Sequence, residues 1–134
     1  MSPDEMQSFL SRPLVAVLTT IKPDGSPTAS PVWYEFDGGI FYFWIGADSA
    51  KARNIRSNAR AAVCIASHEE PYRYVVAEGT SAIRETEVPA RCYSISRRYY
   101  GVTRGAEFAR KDLESGDAII VALVPDHLIT ESSA

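Results

Sequence analysis

Cysteine is scarce in this chain. Cys64 and Cys92 are the only two, with no CxxC spacing. That excludes a disulfide framework and a thiolate zinc knuckle; Cys64 in AAVCIAS and Cys92 in a predicted helix both read as reduced packing residues. Histidine is equally scarce. His68 and His127 lie far apart without ligand-spaced partners, which argues against a metal centre. An excess of positive charge is missing too. With 14 Lys+Arg against 17 Asp+Glu the net charge is −3, so the chain has no overall field for nucleic acid and any anion recognition must be local. No apolar stretch approaches the ~18–20 residues of a membrane span, and the acidic start MSPDEMQSFL has no apolar secretion core. A cytoplasmic protein with no membrane or nucleic-acid partner is expected. Nor is there a GxSxG, GxGxxG or Walker loop, or a Cys/His pair suited to a thiol enzyme. Any chemistry would then be carried by a bound cofactor, with the protein supplying position and electrostatics.

What remains is an ordinary globular composition, 46% hydrophobic and 23% charged over 134 residues, which fits one domain over 1–134. Ser2-Pro3-Asp4-Glu5 has the form of a capping box opening a short helix to about Ser11. Leu14–Ile21 is β-branched and leads through KPDGSP into a return strand, Thr28–Phe36. After DGG, the run IFYFWIG forms a third strand that is apolar on both faces. A helix from about Ser49 to Ser57 follows, then strands RAAVCIAS and YRYVVAEGTSAIRE. Val88, Cys92, Ile95 and Tyr99 have helical spacing up to a Gly101 cap. GAEFARKDLESG reads as a further helix, DAIIVALVP as a sixth strand, and DHLITESSA as a frayed or strand-forming tail. Six strands in an antiparallel meander with short helices predict a mainly β fold, a closed or nearly closed barrel, because closure removes exposed edges.

The sharpest local feature is GADSAKARNIRSN, which puts Lys51, Arg53 and Arg56 at or near the start of a helix. Unpaired N–H groups and the positive end of the helix dipole make that a poor place for cations unless an anion sits among them. Ser49, the free N–H groups and the cations together suit a phosphate. A solvated basic helix with Ser49 as a structural cap is the simpler alternative. In SPVWYEF, Pro31 cannot donate to a ladder, which places it at an edge or bulge, where backbone groups beside Trp33 and Tyr34 could face a planar ligand. Plain core packing would use the same residues. RRYYG, with Arg91 and Arg104 nearby, is a second basic and aromatic cluster. It suits a solvated helix face, a pocket rim or, less well, a base-stacking surface.

Taken in order, LTTIKPDGSPTASPVWYEFD, IFYFWIGADSAKARNIRSNARAAVCI and YVVAEGTSAI resemble the split β-barrel flavin and deazaflavin oxidoreductases, the pyridoxamine-phosphate-oxidase-like superfamily. The resemblance covers about Leu14 to Ile83, with RRYYG a weaker echo. It implies a six-stranded antiparallel split β-barrel and a homodimer with two cofactors in clefts at the interface. Ser49 and Lys51 match the positions that hold the cofactor phosphate. Pro31, Val32 and Trp33 match the strand whose backbone faces the ring, and Tyr74 falls where the second subunit contributes a contact. The flavin-mononucleotide (FMN) members commonly carry Ser-Arg-Lys, whereas this chain has Ser-Ala-Lys followed by Arg53 and Asn54. KARNI is similar to the branch that uses the deazaflavin coenzyme F420, whose longer anionic tail would suit Arg53, Asn54 and Arg56. What the resemblance implies is an F420-dependent reductase passing hydride to an activated double bond of a small organic molecule, with Tyr99 or Tyr100 bordering the substrate. An FMN-dependent oxidase or flavin reductase, and a non-enzymatic carrier of flavin, deazaflavin or haem, remain open alternatives.

Overall fold

A computed structural model describes residues 1–132. Ten elements follow one another: α1 (Pro3–Leu10), β1 (Ala16–Ile21), β2 (Pro27–Asp37), β3 (Ile40–Gly46), α2 (Ala50–Ser57), β4 (Arg60–Ala66), β5 (Arg73–Arg84), α3 (Val88–Tyr100), α4 (Val102–Ser115) and β6 (Ala118–Ser132). The strands close into an antiparallel barrel in the order β1-β2-β3-β6-β5-β4, as the mainly β expectation required. A single meander is not what forms. β1–β2–β3 and β4–β5–β6 are two meanders, joined by the β1–β4 and β3–β6 ladders, and α2 carries the chain from one to the other.

Alternation along the strands fills the barrel. Ala16 and Leu18 of β1, Val63 and Ile65 of β4, and Val75 and Ala77 of β5 point inward and are buried. Tyr34, Phe41, Phe43 and Leu123 complete the interior, and Phe9 and Leu10 of α1 plug one end. Each buried Val, Leu, Ile or Phe side chain contributes roughly 1.5–3 kcal/mol by leaving water. The capping box at α1 forms as read: Ser2 Oγ accepts from Glu5 N at 3.1 Å, and Glu5 Oε1 accepts from Ser2 N at 3.2 Å.

A second, smaller core explains why β3 is apolar on both faces. α3 and α4 pack as a helical hairpin on the outside of β3 and β6, burying Tyr42, Ile120 and Ala122 under Cys92, Ile95 and Ala109. α4 begins at Val102, three residues before its expected start, so Gly105 lies inside the helix. A Cβ there would stand 2.7 Å from Arg97 Cα, so only glycine lets the two helices approach so closely. Of the two readings of the tail, the strand-forming one holds. Beyond Pro125 β6 continues along β5 to Ser132, past a bulge between Glu78 and Gly79. Cys92 is a buried packing residue as expected, but Cys64 is not, because it lies exposed on the outward face of β4. Among the described residues no helix is long and apolar enough to cross a membrane.

Candidate functional site

The β2–β3 ladder runs only from Trp33↔Trp44 to Asp37↔Ile40. The first half of β2, including Pro31 and Val32, pairs with β1 alone: past Trp44, β3 parts from β2 and pairs on through Ile45 and Gly46 with β6 only, before the chain turns into α2. That turn is tied down by Ser49, whose N–H (3.2 Å) and hydroxyl (2.7 Å) both donate to Gly46 O, and by Ala47 N donating to Asp117 O at 2.7 Å. Where the two strands part, a cavity of about 420 Å³ opens. β2 lines it with Pro31, Val32 and Trp33, β3 with Trp44 to Gly46, and α2 with Lys51. Phe108 and Asp112 of α4 and Asp117 before β6 close the far wall. Its size lies within the ~300–1,000 Å³ of small-molecule sites. Asp117 stands over Gly46, where an added Cβ would lie 2.9 Å from its Oδ2 and displace the carboxylate.

The cations of α2 divide into two kinds. Arg53 Nη1 donates to Asp48 O at 2.5 Å and Arg56 Nη1 to Ala47 O at 2.9 Å, so both stitch the loop that precedes the helix. Lys51 is half-buried and lines the cavity, with no ion pair or hydrogen bond among the described residues. Ser49 is the N-cap, its Oγ accepting from Ala52 N at 3.2 Å. Asn54 is turned away from the cavity and buried, its Nδ2 donating to Thr20 Oγ1 at 3.1 Å.

The aromatic residues are equally divided. Trp33 lies in the cavity wall, stacked against Tyr99 at 4.6 Å and 6°, and edge-to-face with Trp44 at 6.0 Å and Tyr100 at 5.1 Å. Tyr99 and Tyr100 stand behind Trp33 and do not themselves line the cavity. The Tyr99 hydroxyl donates to Leu14 O at 2.6 Å and accepts from Tyr34 N at 3.2 Å. Arg98 donates to Leu10 O at 3.1 Å, Arg12 O at 2.9 Å and Tyr34 O, while Tyr34 Oη lies 3.0 and 2.8 Å from the same Leu10 and Arg12 carbonyls. RRYYG is thus a clasp that holds the α1–β1 loop to β2. Burial raises the Tyr99 phenol and pushes that of Tyr34 up to about 12, keeping both as donors. Tyr74 is on the outward face of β5, opposite Ala66 and Glu131, away from this cavity within one chain.

Sequence reading passed over Trp44, Phe108, Asp112 and Asp117 as site residues. Phe108 and Asp112 share a helix face at i, i+4, a weak local signal; their approach to Trp44 exists only in the fold. Glu35 showed no partner in sequence, yet Arg91 holds it at 2.7 Å, with Asp37 at 3.1 Å and Ser94 donating to its other oxygen. That cluster ties α3 to the β2–β3 hairpin.

Residues 2–125 match the pyridoxamine 5'-phosphate oxidase family. Among solved structures, a conserved hypothetical protein of Mycobacterium tuberculosis is 26% identical, with a TM-score of 0.85 over 98% of this chain and 85% of its own. An F420 reductase is 27% identical, with a TM-score of 0.74 over 92% of this chain and 94% of its own. The haem storage protein HutZ of Vibrio cholerae, 15% identical, shares the fold at a TM-score of 0.75 over 95% of this chain and 92% of its own. The match over nearly the whole chain decides the affiliation: it belongs to the pyridoxamine 5'-phosphate oxidase family.

Proposed function

We propose that the chain is an oxidoreductase that holds the deazaflavin coenzyme F420 in the β2–β3 cavity and transfers hydride between it and an activated double bond of a small organic molecule. The observation that carries this reading is Lys51, an ammonium without a partner among the described residues, in a cavity where Pro31 and Val32 of β2 have no β3 ladder. These residues fit a phosphorylated planar coenzyme. Lys51 and the first N–H groups of α2 would take the phosphate, with Arg53 at the outer edge. Ser49 would shape the turn, and Asn54 would support the helix from beneath. The backbone of Pro31, Val32 and Trp33 would face the ring. When bound, the deazaflavin supplies the hydride chemistry. The chain's own contribution is orientation, with Trp33 locked by Tyr99 and Tyr100 so that the wall against which the ring lies cannot shift.

The F420 reductase at 27% identity and the Ser-Ala-Lys sequence favour the deazaflavin over FMN. Haem fits the lining less well, because no His, Cys or Met is among the cavity residues. A homodimer is part of the same reading. Val17, Cys64, Val76 and Ile129 form a row of outward residues across β1, β4, β5 and β6, and Val17 and Ile129 are 40% and 44% exposed. Pro31 pairs with Val17, so the row runs to the cavity rim. Covering it with a second copy would remove an apolar patch from water and bring that copy's Tyr74 towards the rim.

The test is a titration of the purified protein with F420 and, separately, with FMN, followed by tryptophan fluorescence, since Trp33 and Trp44 both line the cavity. Tighter binding of F420 is expected. Tighter binding of FMN moves the protein to the flavin reading, and binding of neither sinks both. Light scattering should give twice the chain mass, and Val17→Asp should halve it.

A further inference from the structure

One end of the cavity, beyond the Trp33 face given to the coenzyme ring, carries a carboxylate and two further rings that a coenzyme phosphate and ring do not use. Trp33, Trp44 and Phe108 form a three-ring wall, with Phe108 5.5 and 5.7 Å from the two tryptophans. Asp112 enters beside them, one turn beyond Phe108 on α4. Its Oδ2 accepts the Trp44 indole N–H at 2.8 Å, which fixes the side chain. Oδ1 has no partner, and no arginine or lysine pairs with the carboxylate, among the described residues. Asp117 adds a second carboxylate, so the lining holds two acidic groups against the single ammonium of Lys51.

These groups are ordered along β3. Trp44 brings Asp112 and the ring wall; Gly46, two residues on and so about 7 Å away, brings Asp117 and the start of α2. If Lys51 holds an anion at the Gly46 end, the Trp44 end keeps an uncompensated carboxylate against aromatic faces. That pairing attracts cations twice over, by charge and by the negative faces of the rings.

We infer that Asp112 is a specificity-determining residue and that the acceptor substrate is a small planar unsaturated molecule bearing a cationic nitrogen, which sits on Asp112 with its flat body along Trp44 and Phe108. That this molecule is the hydride acceptor rests on the function proposed above; the recognition itself does not.

Benzamidine, benzamide and benzoate are matched in shape and differ in charge, so the three serve as probes of the full-length protein by tryptophan fluorescence and calorimetry. Benzamidine should bind at least about tenfold more tightly than benzamide, with benzoate weakest. Asp112→Asn keeps an acceptor for the Trp44 indole and removes only the charge; it should bring benzamidine to the level of benzamide. Asp117→Asn should leave the preference in place. Equal binding of benzamidine and benzamide by the wild type, binding of none of the three, or a preference that survives Asp112→Asn overturns the inference. The coenzyme titration separates the two readings. Coenzyme binding without cation preference removes this inference alone, whereas cation preference without coenzyme binding removes the coenzyme reading alone.

Discussion

Arg98 and Lys51 lie on opposite sides of the Trp33 wall, and the fold uses their charges in opposite ways. The Arg98 guanidinium is surrounded by three backbone carbonyls and the Tyr34 ring, 4.7 Å from its centroid. The Lys51 ammonium faces a cavity and touches no partner among the described residues. A multiply bonded, part-buried cation is a structural device, since its removal leaves polar groups without partners. A cation with no internal task contributes little to stability, so its presence at a helix start, where the dipole opposes it, points to something outside the chain.

The largest effect should follow from the clasp. Arg98→Ala removes hydrogen bonds to the Leu10, Arg12 and Tyr34 carbonyls at once and leaves only the Tyr34 hydroxyl to serve Leu10 and Arg12, which at about 1.5–3 kcal/mol for hydrogen bonds to a charged group predicts a loss near 3 kcal/mol. For a domain of this size that lowers Tm by about 10 °C. A drop of less than about 2 °C in a thermal melt would mean the clasp is ornamental and the comparison fails.

Lys51→Ala should do the reverse. The melting temperature stays within about 1 °C, while coenzyme affinity falls roughly 10–100-fold, the worth of one charge-assisted contact. If the variant melts early and still binds, Lys51 is a stabilising residue after all.

Alkaline pH tests the engaged side in another way, because it holds the buried Tyr34 phenol while the α3–α4 core holds the buried Cys92 thiol. Burial, aided by the nearby Asp112 carboxylate, pushes the Cys92 thiol up from 9.0 to about 12, and burial raises the Tyr34 phenol from 10.0 to about 12. Both are neutral in the fold and ionise more readily when unfolded, so the unfolded chain holds fewer protons above pH 9 and stability falls as pH rises. Melts should be level up to about pH 9 and decline from there towards pH 12, the window set by these values. Cys92→Ala should delay the onset to about pH 10, where Tyr34 begins to act. A wild-type Tm at pH 10.5 equal to that at pH 8 would contradict the assignment.

Much of the barrel was legible in sequence because its strands are β-branched or aromatic and its turns carry Gly, Pro and Asp. β3 was read at Ile40–Gly46, where it lies, Ser2 caps the helix it was expected to cap, and Ser49 takes the capping role that stood as the alternative to phosphate binding. What escaped depends on contacts between distant segments. The end of β6, PDHLITES, has no alternating pattern, so a frayed tail and a strand read alike there; it is a strand because β5 continues beside it beyond the bulge. Gly105 reads as a helix start until Arg97 of the neighbouring helix is seen against it. Of the site, Pro31, Val32, Trp33 and Lys51 were named from sequence and line one cavity; Pro31 and Lys51 sit where local rules bend, a strand proline and a cation at a helix start, whereas Val32 was named by the resemblance alone. Asp112 obeys every local rule, being an acidic residue on a helix, and its bond to an indole 68 positions away leaves no local trace.

Asp117 gives the smallest and most discriminating prediction. Its carboxylate crowds Gly46, beside the turn into the helix that carries Lys51, where an incoming phosphate would meet its negative charge. Asp117 is exposed, so solvent and salt weaken that repulsion to well under 1 kcal/mol. Its backbone contacts to Ala47 and Ser115 do not involve the carboxylate, so Asp117→Asn should preserve the turn. Coenzyme affinity should therefore rise by roughly twofold at low salt, and the gain should fade as ionic strength increases. A weaker complex would mean that Asp117 accepts a hydrogen bond from the ligand. The anionic end of the coenzyme would then have to lie elsewhere, and Lys51 would lose its place as the anion contact.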